Sequence, residues 1–131
     1  MSVNVSQLVR LSDKLADVKA EMNELSNSIV KKLGADTLSL TISATPVDTG
    51  TLRKGWDASP VNDIDDSTKQ VVISNQVPYA EYVEYGHRTA NHKKWVEGQF
   101  MATRSAQIVQ AHAEQTAKEV VIKKINEVLN G

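Results

Sequence analysis

The sequence predicts an α+β fold, with a long helix at each end and short strands plus one short helix between them. Three observations lead there. Leu8, Leu11, Leu15, Val18, Met22, Leu25 and Ile29 recur in alternating steps of three and four, the stripe of one helix face. Val109, Ala113, Ala117, Val121, Ile125 and Val128 repeat the pattern near the C-terminus. The zone between, Thr45 to Gly98, holds all three prolines and, counting Phe100 just past its edge, all six aromatics.

The first helix is expected over Ser6 to Leu33, with Arg10, Lys14, Asp17 and Glu21 off the stripe. Gly34 is expected to interrupt it. Thr37 to Ser43 then alternates polar and apolar residues, which favours a strand over a helix carrying Leu33, Thr37, Leu40 and Ala44 on one side. Pro46 to Gly50 reads as a turn, because Asp48 can accept from backbone amides ahead of it and Gly50 tolerates positive φ. Thr51 to Ser59 reads as a strand carrying Leu52 and Trp56. Pro60 to Thr68, with Asp63, Asp65 and Asp66, reads as an acidic hairpin loop. Val71, Val72 and Ile73 mark Lys69 to Asn75 as a strand. Pro78 to Tyr85 is a short helix, with proline at its start and Gly86 just past its end. His87 to Lys94 is a basic loop. Gln99 to Asn130 is the second long helix, and the alanines of its early half permit close approach to a neighbour.

A chain of 131 residues suits a single domain, 1–131. Its net charge is −1, from 15 basic and 16 acidic residues. That balance argues against a protein that lives by gripping phosphates, since counterion release rewards a basic excess. Cysteine is absent, which removes disulfides, thiol catalysis and Cys-ligated zinc. No apolar run approaches the ~20 residues that span a bilayer, and Met1 to Leu11 lacks a signal-peptide core, so a start in a cytoplasm is expected.

Catalytic chemistry finds little footing. Glu84, His87 and His92 could be drawn as a metal site, but the histidine spacing is not that of one helix face, and Arg88, Lys93 and Lys94 would repel a cation. Glu81 and Glu84 read as a solvated face of the short helix. Asp48, Thr49 and Gly50 spell the aspartic-protease triplet, yet that chemistry needs two carboxylates sharing a proton, and the turn already accounts for these residues. No nucleophile elbow and no phosphate loop occurs. The expectation is a non-enzyme without cofactor or metal.

The middle zone carries a resemblance. Thr45-Pro46-Val47-Asp48-Thr49-Gly50-Thr51-Leu52-Arg53 is followed by Trp56, then Val72-Ile73-Ser74-Asn75. Next come Val77-Pro78-Tyr79-Ala80-Glu81-Tyr82-Val83-Glu84-Tyr85-Gly86-His87-Arg88 and Trp95-Val96-Glu97-Gly98-Gln99-Phe100-Met101. In that order and spacing these blocks resemble the phage "putative tail-component" family, named after the tenth gene product of a lambdoid coliphage. The resemblance implies a small α+β subunit with a long helix packed on an antiparallel sheet. It also implies that the segment before Pro46 is helical, which overrules the strand reading of Thr37 to Ser43. It further implies a head-to-tail joining role, in neck or tail-completion rings, commonly six-fold. Such a ring lies between a head connector or stopper and a tail tube or tail terminator. The expected partners are therefore copies of the same chain and those proteins, with DNA passing through the lumen without specific binding. The expected location is the virion tail or neck, after assembly in the host cytoplasm.

A ring joins one patch to a different patch on the next subunit. The expected interface sets the basic loop (Arg88, Lys93, Lys94) against the acidic loop (Asp63, Asp65, Asp66) of a neighbour or of an adjacent ring. Tyr79, Tyr82, Tyr85 and Trp95 are expected to supply affinity. Asp48, Thr49, Gly50, Leu52, Trp56, Glu84 and Gly86 are expected to form the fold, with Glu84 capping the short helix against its loop. The competing reading is a coiled-coil adaptor that dimerises through the Leu8 to Ile29 stripe.

Overall fold

A first helix of thirty residues, α1 (Leu15–Ala44), runs without a break past the glycine expected to end it. The computed structural model describes residues 15–47 and 50–130. The first turns expected of this helix, with Leu8 and Leu11, therefore lie outside the described residues. Gly34 stays helical for a reason that lies far away in sequence. A Cβ on it would come within 2.7 Å of Val71 Cγ1. The glycine is one place where α1 lets the middle zone approach closely.

The segment 37–43 is helical, as the family resemblance implied and the alternation did not. Thr37, Thr41 and Thr45 stand four apart and are all buried. Each hydroxyl donates to the carbonyl one turn back: Thr37 to Leu33 (2.8 Å), Thr41 to Thr37 and Thr45 to Thr41 (both 2.6 Å). Polar side chains that satisfy themselves this way can line a helix face against a core.

Beyond the turn come α2 (Thr51–Gly55), β1 (Trp56–Ala58), β2 (Asn62–Asp65), β3 (Thr68–Gln70) and β4 (Ile73–Asn75). The strand expected over Thr51 to Ser59 is thus a helical turn followed by three strand residues. The loop expected over Pro60 to Thr68 is largely strand. The pairs β1–β4 and β2–β3 are antiparallel, with Trp56 opposite Asn75 and Asn62 opposite Gln70. They are two halves of one hairpin. Between them the Ser59 amide donates to the Val72 carbonyl (2.8 Å) and the Val72 amide to Ser59 Oγ (2.8 Å). This irregular junction also breaks the strand expected over Lys69 to Asn75.

Next follow α3 (Ala80–Tyr85), β5 (Gly86–Arg88) and β6 (Trp95–Glu97), the last two paired antiparallel with Arg88 opposite Trp95. The basic loop is thus the tip of a second hairpin. The C-terminal helix is two helices, α4 (Met101–Ala111) and α5 (Ala113–Asn130). His112 makes the break. Its Nδ1–H donates to the Ile108 carbonyl (2.9 Å), the acceptor its own amide would use in a helix, and the amide turns to Val109 instead (3.1 Å).

Leu52, Ala80 and Met101 form the buried centre, with Trp56, Val77 and Val83 packed around it. Helix α1 packs on α4 and α5, where Thr41, Ser105, Ile29 and Ala117 are buried. The expected stripe of the last helix is only partly used: Ala117 is buried, whereas Ile125 and Val128 are exposed. Among the described residues, no helix is long and apolar enough to cross a membrane.

The Gly34–Val71 contact gives a clean test. Helix propensity alone would make Gly34→Ala stabilising by about 1 kcal/mol. Val71 is short and stiff, so overpacking is expected to reverse the sign and cost about 1 kcal/mol net. In a Val71→Ala background the same change is expected to stabilise. Urea melts of the four proteins check this, and equal effects in both backgrounds would refute the contact.

Candidate docking surface

The residues of the first family block mostly close the end of α1. Gly50 takes φ 69° at the start of α2, the positive value the turn reading requires. Leu52 drops into the core. Arg53 reaches back, its Nε–H donating to the Thr45 carbonyl (3.0 Å) and its Nη2 to the Ser43 carbonyl (3.3 Å). These carbonyls belong to the end of α1, where acceptors lack helical partners and a cation is favoured. Trp56 Nε1–H donates to Thr45 Oγ1 (2.8 Å). Asn75 ties the long hairpin to α2 through the Leu52 carbonyl (2.9 Å). Asp48 and Thr49 lie outside the described residues. The role of Arg53 was missed, although a cation soon after a helix end is a readable signal.

Glu84 does not cap its own helix. It is 5% exposed, while Glu81 is exposed, so the two do not share a solvated face. Its carboxylate accepts from the amides of Ala102 (3.0 Å) and Thr103 (2.9 Å) and from the Thr103 hydroxyl (2.7 Å). Those amides open α4, whose N-cap residue Phe100 offers no side-chain acceptor and sits at φ 47°. Glu84 therefore supplies the missing cap from α3. The Val83 and Glu84 carbonyls accept from Gln99 and Phe100 (2.8 and 3.0 Å), so β6 and α4 are laced to α3 on both sides.

This lacing holds the second hairpin out with a defined tip. Thr89 and Asn91 organise it: Thr89 Oγ1 donates to Asn91 Oδ1 (2.6 Å), Asn91 Oδ1 accepts from the Lys93 amide (3.0 Å), and the Thr89 amide donates to the Lys94 carbonyl (2.8 Å). Arg88, His92, Lys93 and Lys94 are left exposed on it.

The aromatics expected to act together divide between two faces. Successive steps of three along a helix rotate by about 60°, so Tyr79, Tyr82 and Tyr85 fan out. Tyr79 and Tyr82 line an open groove of about 360 Å³ with Pro46, Val83, His87 and Val96. The rings of Tyr82 and His87 meet edge to face at 6.0 Å. Tyr85 turns to Phe100 (6.4 Å, edge to face), over which the Arg104 guanidinium stacks at 5.7 Å. Trp95 stands on β6 opposite Arg88. His87 was read only as a loop residue and a drawable metal ligand, and Val96 was given no role of its own, because only the β5–β6 register brings the two opposite one another.

The acidic residues sit on the other hairpin. Asp63 pairs with Lys69 (2.6 Å), so it is partly neutralised within the chain. Asp65 accepts from the amide and hydroxyl of Ser67 (2.9 and 3.0 Å), which close the turn and hold its carboxyl below the ordinary range. Asp66 is exposed. A larger groove, about 440 Å³, lies between α1 and α5, but Glu24, Lys32, Glu119, Lys123 and Glu127 line it with mixed sign.

A family model described as "Bacteriophage HK97-gp10, putative tail-component" matches residues 10–86, more than half of the chain. Among described residues the match spans α1 to α3 and stops at the first residue of β5. No curated protein and no solved structure matches the chain.

Proposed function

This chain belongs to the bacteriophage HK97-gp10 tail-component family, and on that premise we propose that it is a subunit of the head-to-tail neck or tail-completion ring. The family is one of phage structural components, so a structural place among virion proteins follows from membership. The finer role is our reading. In it, copies of the chain form a ring, commonly six-fold, between the head connector or stopper and the tail tube or tail terminator. DNA passes through the lumen without being held, in keeping with a net charge of −1. The ring does no covalent chemistry and uses no cofactor.

One observation supports this most. The chain carries an aromatic groove beside a cationic hairpin on one element, and an acidic hairpin on another. Two different, complementary patches on one subunit are what a ring interface uses. The coiled-coil alternative loses ground. Ile29 is buried, and Leu25 lines the α1–α5 groove together with Val120, so this end of the stripe is turned toward the chain's own last helix.

Reversing Lys93 and Lys94 to glutamate is expected to lower the yield of assembled particles by about tenfold or more, because like charges would then face each other. Folding of the isolated chain should be unchanged, since both side chains are exposed. Normal particle yield from that variant refutes the reading.

A further inference from the structure

Ile64 stands on a strand with no buried residue. All four residues of β2 are exposed, and Ile64 itself is 58% exposed between Asp63 and Asp65. A single exposed isoleucine means little by itself. Its setting gives it meaning. The hairpin 62–70 carries three aspartates and one lysine, a net charge of −2. The hairpin 86–97 carries Arg88, Lys93 and Lys94 against Glu97, a net charge of +2 with histidines neutral. Beside that positive hairpin lies the groove of about 360 Å³ whose apolar wall is Tyr79, Tyr82, Val83 and Val96 and whose polar edge is His87, Glu97 and Gln99; it is open to solvent and roomy enough for a branched aliphatic side chain. One element thus presents an apolar knob inside a negative collar, and another presents an apolar socket beside a positive one.

We infer that the β2–β3 hairpin of one copy docks on the next copy, with Ile64 seated in the Tyr79–Tyr82–Val96 groove and Asp65 and Asp66 facing Arg88, Lys93 and Lys94. The inference rests on the self-assembly proposed above and names its contact. Knob and socket lie on different elements, so every junction leaves one of each free at the two ends. Such an interface propagates until it closes into a ring. Burial of Ile64 supplies affinity, while the carboxylates and ammonium groups set orientation and speed of encounter. Asp63, already bound to Lys69, contributes least.

The absence of cysteine makes the test direct. Purified full-length Ile64→Cys and Val96→Cys chains are mixed at high concentration and oxidised, and the products are sized under denaturing conditions. Cross-linking is expected in the mixture and in the double variant, which should give a ladder of linked multimers. The Ile64→Cys chain oxidised alone should give little. In parallel, Ile64→Lys is expected to weaken association by about tenfold or more in sedimentation velocity without changing the melting curve. Oligomers that form equally well with Ile64→Lys, or that link 64 to 64 instead of 64 to 96, overturn the hairpin contact and leave the ring standing. A chain that stays monomeric at its solubility limit overturns both.

Discussion

Glu84→Ala is expected to destabilise the fold by about 2–4 kcal/mol, among the largest losses available from one polar side chain. The carboxylate takes three hydrogen bonds at the start of α4, two from backbone amides and one from Thr103. Bonds to a charged acceptor are worth more than neutral ones, and their loss leaves amides at a half-buried helix end with no substitute. The negative charge also complements the helix N-terminus. Glu84→Gln keeps one acceptor oxygen and loses the charge, so about half the effect is expected. Thr103→Val removes one bond of the three and should cost about 1 kcal/mol. Urea denaturation of the three variants gives the ranking. A Glu84→Ala loss no larger than that of Thr103→Val would show that the cap is not what holds α4 to α3. The consequence extends to the proposed docking, because α3, with Tyr79 at its N-cap, carries Tyr82 and feeds β5.

How much of this was legible from the residues differs element by element, for physical reasons. The long first helix, the short helix closed by Gly86 and the basic and acidic segments were readable because their signals are local: periodicity, a proline and glycine pair, and runs of charge. Three features were not. Gly34 looked like a stop, and only the approach of Val71, thirty-seven positions later, shows why a helix keeps a glycine there. Thr37 to Ser43 looked like strand alternation, because the spacing of four between Thr37 and Thr41 fits a period of two as well as a helical turn. Glu84 looked like a cap for its own helix, since its true partners lie eighteen and nineteen positions on. The candidate docking surface was half readable. Its tyrosines and cations stand out in composition, but His87 and Val96 join the groove only through strand register, and Tyr85 leaves it through helix rotation.

Gly98→Ala should act on fold and docking at once, with an expected cost of about 3 kcal/mol or more. Gly98 follows β6 at the point where that strand lies against the end of α3. A Cβ there would collide with the Glu84 carbonyl oxygen, with Tyr85 C at 2.6 Å and with Gly86 N at 2.8 Å. All three are backbone atoms, so no side-chain rotamer can relieve the overlap. Val71 opposite Gly34 is a milder obstacle, being a side chain at the edge of a hairpin. The strand itself must move, and it carries Trp95 and Val96, while its partner carries Arg88. The amides of Gln99 and Phe100, which bond to the Val83 and Glu84 carbonyls, follow directly after and would be displaced with it. Thermal melting should therefore fall sharply for Gly98→Ala, and whatever folded protein remains should have lost association as well. Ile64→Lys, on the distant hairpin, should lose association alone. If Gly98→Ala keeps the wild-type melting curve, the close backbone contact at Gly98 is not what holds the second hairpin against α3.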